Sequence, residues 1–125
     1  MKSKILYLLM LVGHTSAYSA TTYQVNITVT ESNSKLVFPT FEVSTGGSGT
    51  SFTDGCTYVG TLTEESKDSI LLEAKMSCIK DDSSFRMDMP GFVLESEGQK
   101  ASYELLEEDD GVVVWKYSVE VEPLL

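Results

Sequence analysis

The sequence predicts an all-β protein, a single antiparallel β-sandwich or small barrel of about eight or nine strands with one disulfide. Three observations carry that prediction. Apolar and polar residues alternate with period two along most of the chain, as in strands buried on one face. Clusters of Ser, Asn, Asp and Gly recur at intervals of about 12 residues, where turns would close the strands. The two cysteines fall opposite one another when the middle hairpin is centred on its polar loop.

A segment of another kind precedes the first strand. Lys2 and Lys4 are followed by the apolar run Ile5 to Val12 and then by the small residues Thr15-Ser-Ala-Tyr-Ser-Ala20. Basic, apolar and small regions in that order read as a secretory signal. Its apolar core is too short for a bilayer, which needs roughly 20 residues. The expected organisation is residues 1–20 as signal and residues 21–125 as one β-sandwich domain, with cleavage after Ala17, Ser19 or Ala20. Such a protein is periplasmic or secreted. No cysteine follows the signal to carry a lipid, and no second apolar run approaches membrane length, so direct membrane insertion is not expected.

Charge narrows the partners. Removing Lys2 and Lys4 leaves nine less two, or seven, basic residues against 19 acidic ones, a net charge of −12. That surface repels nucleic acid and anionic lipid and favours encounter with cationic proteins. Solubility alone also explains such a charge.

Along the chain, Tyr23, Val25, Ile27 and Val29 alternate with Gln24, Asn26, Thr28 and Thr30, a half-buried first strand. Glu31-Ser-Asn-Ser34 is turn chemistry. A second strand, Leu36 to Val43, contains Pro39, which has no N–H for a ladder and so marks an edge or a bulge. Ser44 to Thr50 reads as a flexible connection. Cys56, Tyr58, Gly60 and Leu62 then share one phase, and Leu72, Ala74, Met76 and Cys78 another. Centring their hairpin on Lys67 sets 62 against 72, 60 against 74, 58 against 76 and Cys56 against Cys78, within disulfide reach.

After the turn Asp81 to Ser84, the residues Phe85, Met87 and Met89 alternate up to the break at Pro90-Gly91. Phe92 and Leu94 follow, then the turn Ser96 to Gln99. In the last hairpin, closed by Glu107-Glu-Asp-Asp-Gly111 and centred on Asp109, Ala101, Tyr103 and Leu105 are expected opposite Tyr117, Trp115 and Val113. A weak repeat appears at an offset of 51: Pro39-x-Phe41-x-Val43 returns as Pro90-x-Phe92-x-Leu94, and Gly47, Ser51 and Phe52 match Gly98, Ser102 and Tyr103. It reflects either two related strand–turn–strand units or the ordinary reuse of Pro, alternation and Gly in β-proteins.

The chemistry on offer is sparse. The one histidine, His14, lies in the signal, so residues 21–125 lack the commonest general base and transition-metal ligand. Two distant cysteines in an exported chain read as a structural disulfide, Cys56–Cys78, and not as a zinc site or a close redox pair. The carboxylate pairs Glu64-Glu65 and Asp81-Asp82 and the run Glu107 to Asp110 fall in expected turns, where nothing raises a pKa for acid catalysis. The acidic run lacks EF-hand spacing. Asn26-Ile27-Thr28 is a formal glycosylation acceptor placed mid-strand. Trp115, Tyr117, Tyr103 and Phe52 share an inward phase with Val113, Val119 and Val121 and are expected to pack in the core. No catalytic, cofactor or metal residue is expected.

Residues Pro90 to Tyr103, PGFVLESEGQKASY, resemble a hairpin of outer-membrane secretins and other bacterial envelope proteins, with a looser echo at Pro39 to Phe52. The resemblance covers about 14 residues and implies an envelope setting and strand-based assembly. A secretin's membrane strands and length are missing, so a pore is not implied. The expected function is a non-enzymatic, exported protein–protein interaction domain, a periplasmic accessory of an envelope assembly or secretion machine. The alternatives are an acidic inhibitor or immunity-type protein that blocks a cationic enzyme, and an adhesin or pilin-like subunit.

Overall fold

In the computed structural model, residues 20–32 and 34–124 are described; the expected signal segment therefore lies outside the described residues, except for Ala20. Ten strands follow one another: β1 (Thr22–Glu31), β2 (Ser34–Val37), β3 (Phe41–Ser44), β4 (Ser48–Thr53), β5 (Cys56–Ser66), β6 (Ser69–Lys80), β7 (Ser83–Asp88), β8 (Phe92–Glu95), β9 (Gln99–Leu106) and β10 (Val113–Pro123). They form two antiparallel sheets. One has the order β2-β1-β10-β9 with β3 also on β1, and the other β4-β5-β6-β7 with β8 also on β6. The sheets pack as a sandwich, as the alternation predicts.

Alternation becomes burial strand by strand. Tyr23, Val25, Ile27 and Val29 point inward from β1, and Trp115, Tyr117, Val119 and Val121 from β10. Across from them stand Tyr58 and Leu62 of β5 and Ile70, Leu72, Ala74 and Met76 of β6, in one continuous core. At its centre the Tyr58 and Tyr117 hydroxyls hydrogen-bond to each other at 2.5 Å.

The count exceeds the expected eight or nine because Pro39 divides the expected strand Leu36 to Val43 and because part of the expected connection after it is strand. Pro39 separates β2 from β3, which lie on the two ends of β1; Pro90 separates β7 from β8, which lie on the two ends of β6. Part of the expected flexible connection at Ser44–Thr50 is also strand, β4. A Cβ on Gly49 would come within 2.6 Å of Val43 Cγ2 and 2.7 Å of Phe41 Cδ2, so the glycine lets β4 lie close against β3.

The repeat is structural, and it relates the two halves of the chain. Val29 pairs with Leu36 and Val25 with Phe41, as Met76 pairs with Met87 and Leu72 with Phe92. The Phe38 N–H donates to the Ile27 carbonyl and that of Gly47 to Ser44; Met89 and Gly98 repeat this on Ala74 and Glu95. Each half supplies a strand with its broken partner to one sheet and a hairpin to the other, so the halves are interlocked. The match at offset 51 ends at the turn. Gly46 takes the positive φ in the first turn and Gly98 in the second. By register against Tyr58 and Tyr117, Ser51 then corresponds to Tyr103, not to Ser102.

Two expectations are corrected. Pro90 to Tyr103 is not a hairpin: β8 pairs with β6 in one sheet and β9 with β10 in the other, so the segment crosses between sheets. The last hairpin is displaced by two residues, with Ala101, Tyr103 and Leu105 opposite Val119, Tyr117 and Trp115. Its tip runs from Glu107, whose N–H donates to the Val112 carbonyl, and a bulge between Val113 and Trp115 adds a residue that loop-centring does not count.

Candidate functional site

The two site residues expected from the sequence are together. Cys56 and Cys78 are direct partners in the β5–β6 register, their Cα atoms are 4.0 Å apart, and they form a disulfide. The pairs 62/72, 60/74 and 58/76 also stand as expected. The hairpin closes on Lys67-Asp68, with a bulge between Glu64 and Ser66. A disulfide is compatible with an oxidising, exported compartment. It also joins the two halves of the chain, since β5 ends the first and β6 opens the second.

The acidic residues are distributed differently from the expectation in one respect. Glu64 and Glu65 lie in β5, since the strand continues to Ser66, whereas Asp81-Asp82 and Glu107 to Asp110 occupy turns and are exposed. Among the described residues no cluster of three or more His, Cys, Asp or Glu converges. The titratable groups that burial perturbs are tyrosines. Desolvation pushes Tyr117 up to about 12, with the Tyr58 hydrogen bond opposing. Desolvation also raises Tyr58, reinforced by its neighbour Tyr117. Both stay neutral and act as core polar contacts.

The concavities of about 450 and 460 Å³ are open surface depressions, and a more enclosed one is small. Two open depressions lie on the outer faces, one lined by Val59, Thr61, Glu73 and Lys75, the other by Ser118, Glu120, Asn26 and Thr28. The register makes these equivalent places in the two halves, so both follow from the shared sheet geometry and neither is specialised. Between the sheets at the disulfide end, a cleft of about 130 Å³ is lined by Val29, Met76 and the disulfide. Ligand pockets are usually about 300–1,000 Å³. Asn26 lies within β1, where its Oδ1 accepts from the Thr40 hydroxyl.

The strand edges are the more distinctive surface. Each sheet has one edge divided by a proline, β2/β3 and β7/β8, and one undivided edge, β9 and β4. The divided edges are protected, because a proline and a broken ladder interrupt any strand laid along them. The undivided edges differ from each other. On β4 the core-facing Ser51 is buried and donates to the Pro39 carbonyl at 2.7 Å. Its counterpart on β9, Tyr103, faces the same interior but is 42% exposed, and Leu105 beside it is 46% exposed.

Leu106, Val112, Val113 and Val114 extend this apolar surface around the acidic tip. Beneath it Trp115 is buried, edge-on to Tyr103 at 6.2 Å, and its Nε1 donor has no acceptor among the described residues. The expectation that the four aromatics share one core position is therefore corrected. Trp115 and Tyr117 are buried, Tyr103 is half-exposed, and Phe52 is 62% exposed, because it pairs with Thr57 on the outer face of its sheet. Sequence reasoning missed β9 as an open edge. The signal was present in Leu105-Leu106 and Val112-Val113-Val114, which crowd apolar residues about a solvated tip without alternation.

Comparison with known proteins finds no match: no protein-family profile, no curated protein and no solved structure is similar to the chain.

Proposed function

We propose that this is a non-enzymatic, exported interaction domain that accepts a partner protein along an undivided sheet edge, as a periplasmic accessory of a bacterial envelope assembly or secretion machine. The observation that supports the reading is the uneven treatment of edges. Two of the four are interrupted by proline, and two are left as continuous ladders whose outer N–H and C=O groups have no strand partner among the described residues. An undivided edge left beside guarded ones is suited to strand addition by a partner. The lack of histidine after residue 14 and the exposure of the turn carboxylates agree with a role that needs no turnover.

Capture of partners from periplasmic extract, by wild type and by edge variants carrying an inward-facing lysine, tests this reading. Partners should be lost from an edge variant while its fold is retained, and complexes should dissociate at a rate that changes little with salt. Capture that is indifferent to both edges would refute it.

A second reading is favoured by the charge of −12 expected after cleavage: an acidic inhibitor that occupies the cleft of a cationic enzyme. That reading requires affinity that collapses as salt is added, and inhibition of a basic enzyme in the same extract.

A further inference from the structure

We propose that β9 is the docking edge, and that its occupant is an extended segment of a partner protein with alternating apolar residues and Lys or Arg at both ends. This rests on the edge-binding reading and goes beyond it by choosing the edge and the chemistry of the segment. Three features of the β9 edge agree.

The first is length and cover. β9 runs eight residues against six for β4, about 27 Å of ladder with no partner strand among the described residues. On its core-facing side Tyr103 and Leu105 are only half covered, so a strand added beside β9 would lay its inward apolar residues next to them and extend the core over Trp115. The equivalent side of β4 is already closed by Ser51 on Pro39.

The second is where the charge lies. The outward row of β9 is locally compensated, with Lys100 3.7 Å from Glu120 and Glu104 3.8 Å from Lys116. Uncompensated carboxylates stand at the two ends, Glu95 and Glu97 before the strand and Glu107 to Asp110 after it. None of these is in an ion pair among the described residues. A segment with cations at its termini and neutral alternation between them matches this distribution.

The third argues against the simplest rival, a second copy of the chain. Two β9 strands could pair antiparallel about Ser102, setting Lys100 of each chain against Glu104 of the other. The same register sets Glu97 against Glu107 at both ends, and each chain would bring its excess of acid. The ends that attract a basic segment repel a copy.

The test uses the intact protein and a peptide of about 12 residues, Lys-Lys-Val-Thr-Val-Thr-Val-Thr-Val-Thr-Lys-Lys, with a twin carrying Glu at the four terminal positions. Trp115, the chain's one tryptophan, reports binding by its fluorescence. The basic peptide is expected to bind at least about tenfold tighter than its twin, and added salt to slow association with little change in dissociation. Leu105→Lys, which places a charge on the core-facing side of the edge, should weaken binding about tenfold or more. Glu107→Gln with Glu108→Gln, both exposed, should slow association without touching the fold.

Equal affinity for the two peptides, or no binding of either, overturns the proposal. Loss of binding in Thr53→Lys on β4 but not in Leu105→Lys also overturns it, yet leaves edge binding standing. Self-association of the free protein that Leu105→Lys abolishes would make the occupant a second copy, and overturns it as well.

Discussion

The two halves of the chain follow one plan and end it differently. In the first, β4 turns into β5 through Asp54-Gly55 alone, and the strand that follows is fastened by Cys56 to Cys78. In the second, β9 reaches β10 through Glu107 to Val112 and a bulge, and the position equivalent to Cys56 is held by Trp115, opposite Glu31. Since both halves solve the same packing problem, what they share is explained by the fold. What they do not share requires another reason. The longer tip, the bulge, the exposed Tyr103 and Leu105 and the solvated acids all belong to the second half.

The comparison is broken most severely by removing the fastening of the first half. In the chain-entropy account, a disulfide closing a loop of this length contributes about 3 kcal/mol. For a domain of this size each kcal/mol shifts the melting temperature by roughly 4–8 °C. Cys56→Ala with Cys78→Ala should therefore lower Tm by about 15 °C while leaving the strand signature in circular dichroism unchanged. Two titratable thiols in the native protein, or an unchanged Tm, would show that the halves are not joined there.

The same contrast explains which parts of the fold were legible in the sequence. The β5–β6 register follows from the residues because both strands alternate cleanly and the loop between them is short, so centring on Lys67 sets every pair up to the cysteines. Each hairpin carries a bulge, but the one between Glu64 and Ser66 sits at the tip, where clean alternation on both strands still sets the register. The one between Val113 and Trp115 is hidden in the uniform apolar run Val113-Val114-Trp115 and displaces the β9–β10 register. Pro39 announces an edge or a bulge and Pro90 a break, but neither announces that the pieces on its two sides share one neighbour. The offset of 51 is visible as a residue match; its meaning, two interlocked halves, depends on which strands pair across the sandwich. The edge site was the least legible. Burial distinguishes Tyr103 from Tyr117, and both occupy an inward phase.

Where the halves meet, a pH titration sharpens the comparison. Tyr58 and Tyr117 occupy equivalent positions, each packed on the equivalent phenylalanine, Phe41 at 5.9 Å and Phe92 at 5.4 Å, and they share one hydrogen bond. Burial holds both hydroxyls protonated, Tyr117 up to about 12. The contribution is complete below the unfolded tyrosine pKa near 10, and is lost as pH rises through the folded value, because only the unfolded chain releases protons in that window. Stability to denaturant should fall between pH 10 and 12 by about 1.4 kcal/mol per pH unit for each buried tyrosine. Tyr58→Phe with Tyr117→Phe should flatten that slope; an unchanged slope would place its origin elsewhere.

The smallest effect separates the halves at a single equivalent position. Gly49 lies opposite Gly60 on β4, and its counterpart by register is Ala101 opposite Val119 on β9. A methyl group added at Gly49 meets Val43, Phe41 and the Glu42 carbonyl, at 3.0 Å for the last, so the strands must part to admit it. Overpacking of this kind costs about 1–3 kcal/mol. At Ala101 the methyl is already accommodated, half-buried against the core. Ala101→Gly should lose only about 0.5–1 kcal/mol, from backbone entropy. Gly49→Ala should thus be the more damaging of two opposite exchanges at one site, measured side by side by chemical denaturation. If Gly49→Ala is neutral, β4 is as loosely seated as β9, and the structural distinction between the closed and the open edge disappears with it.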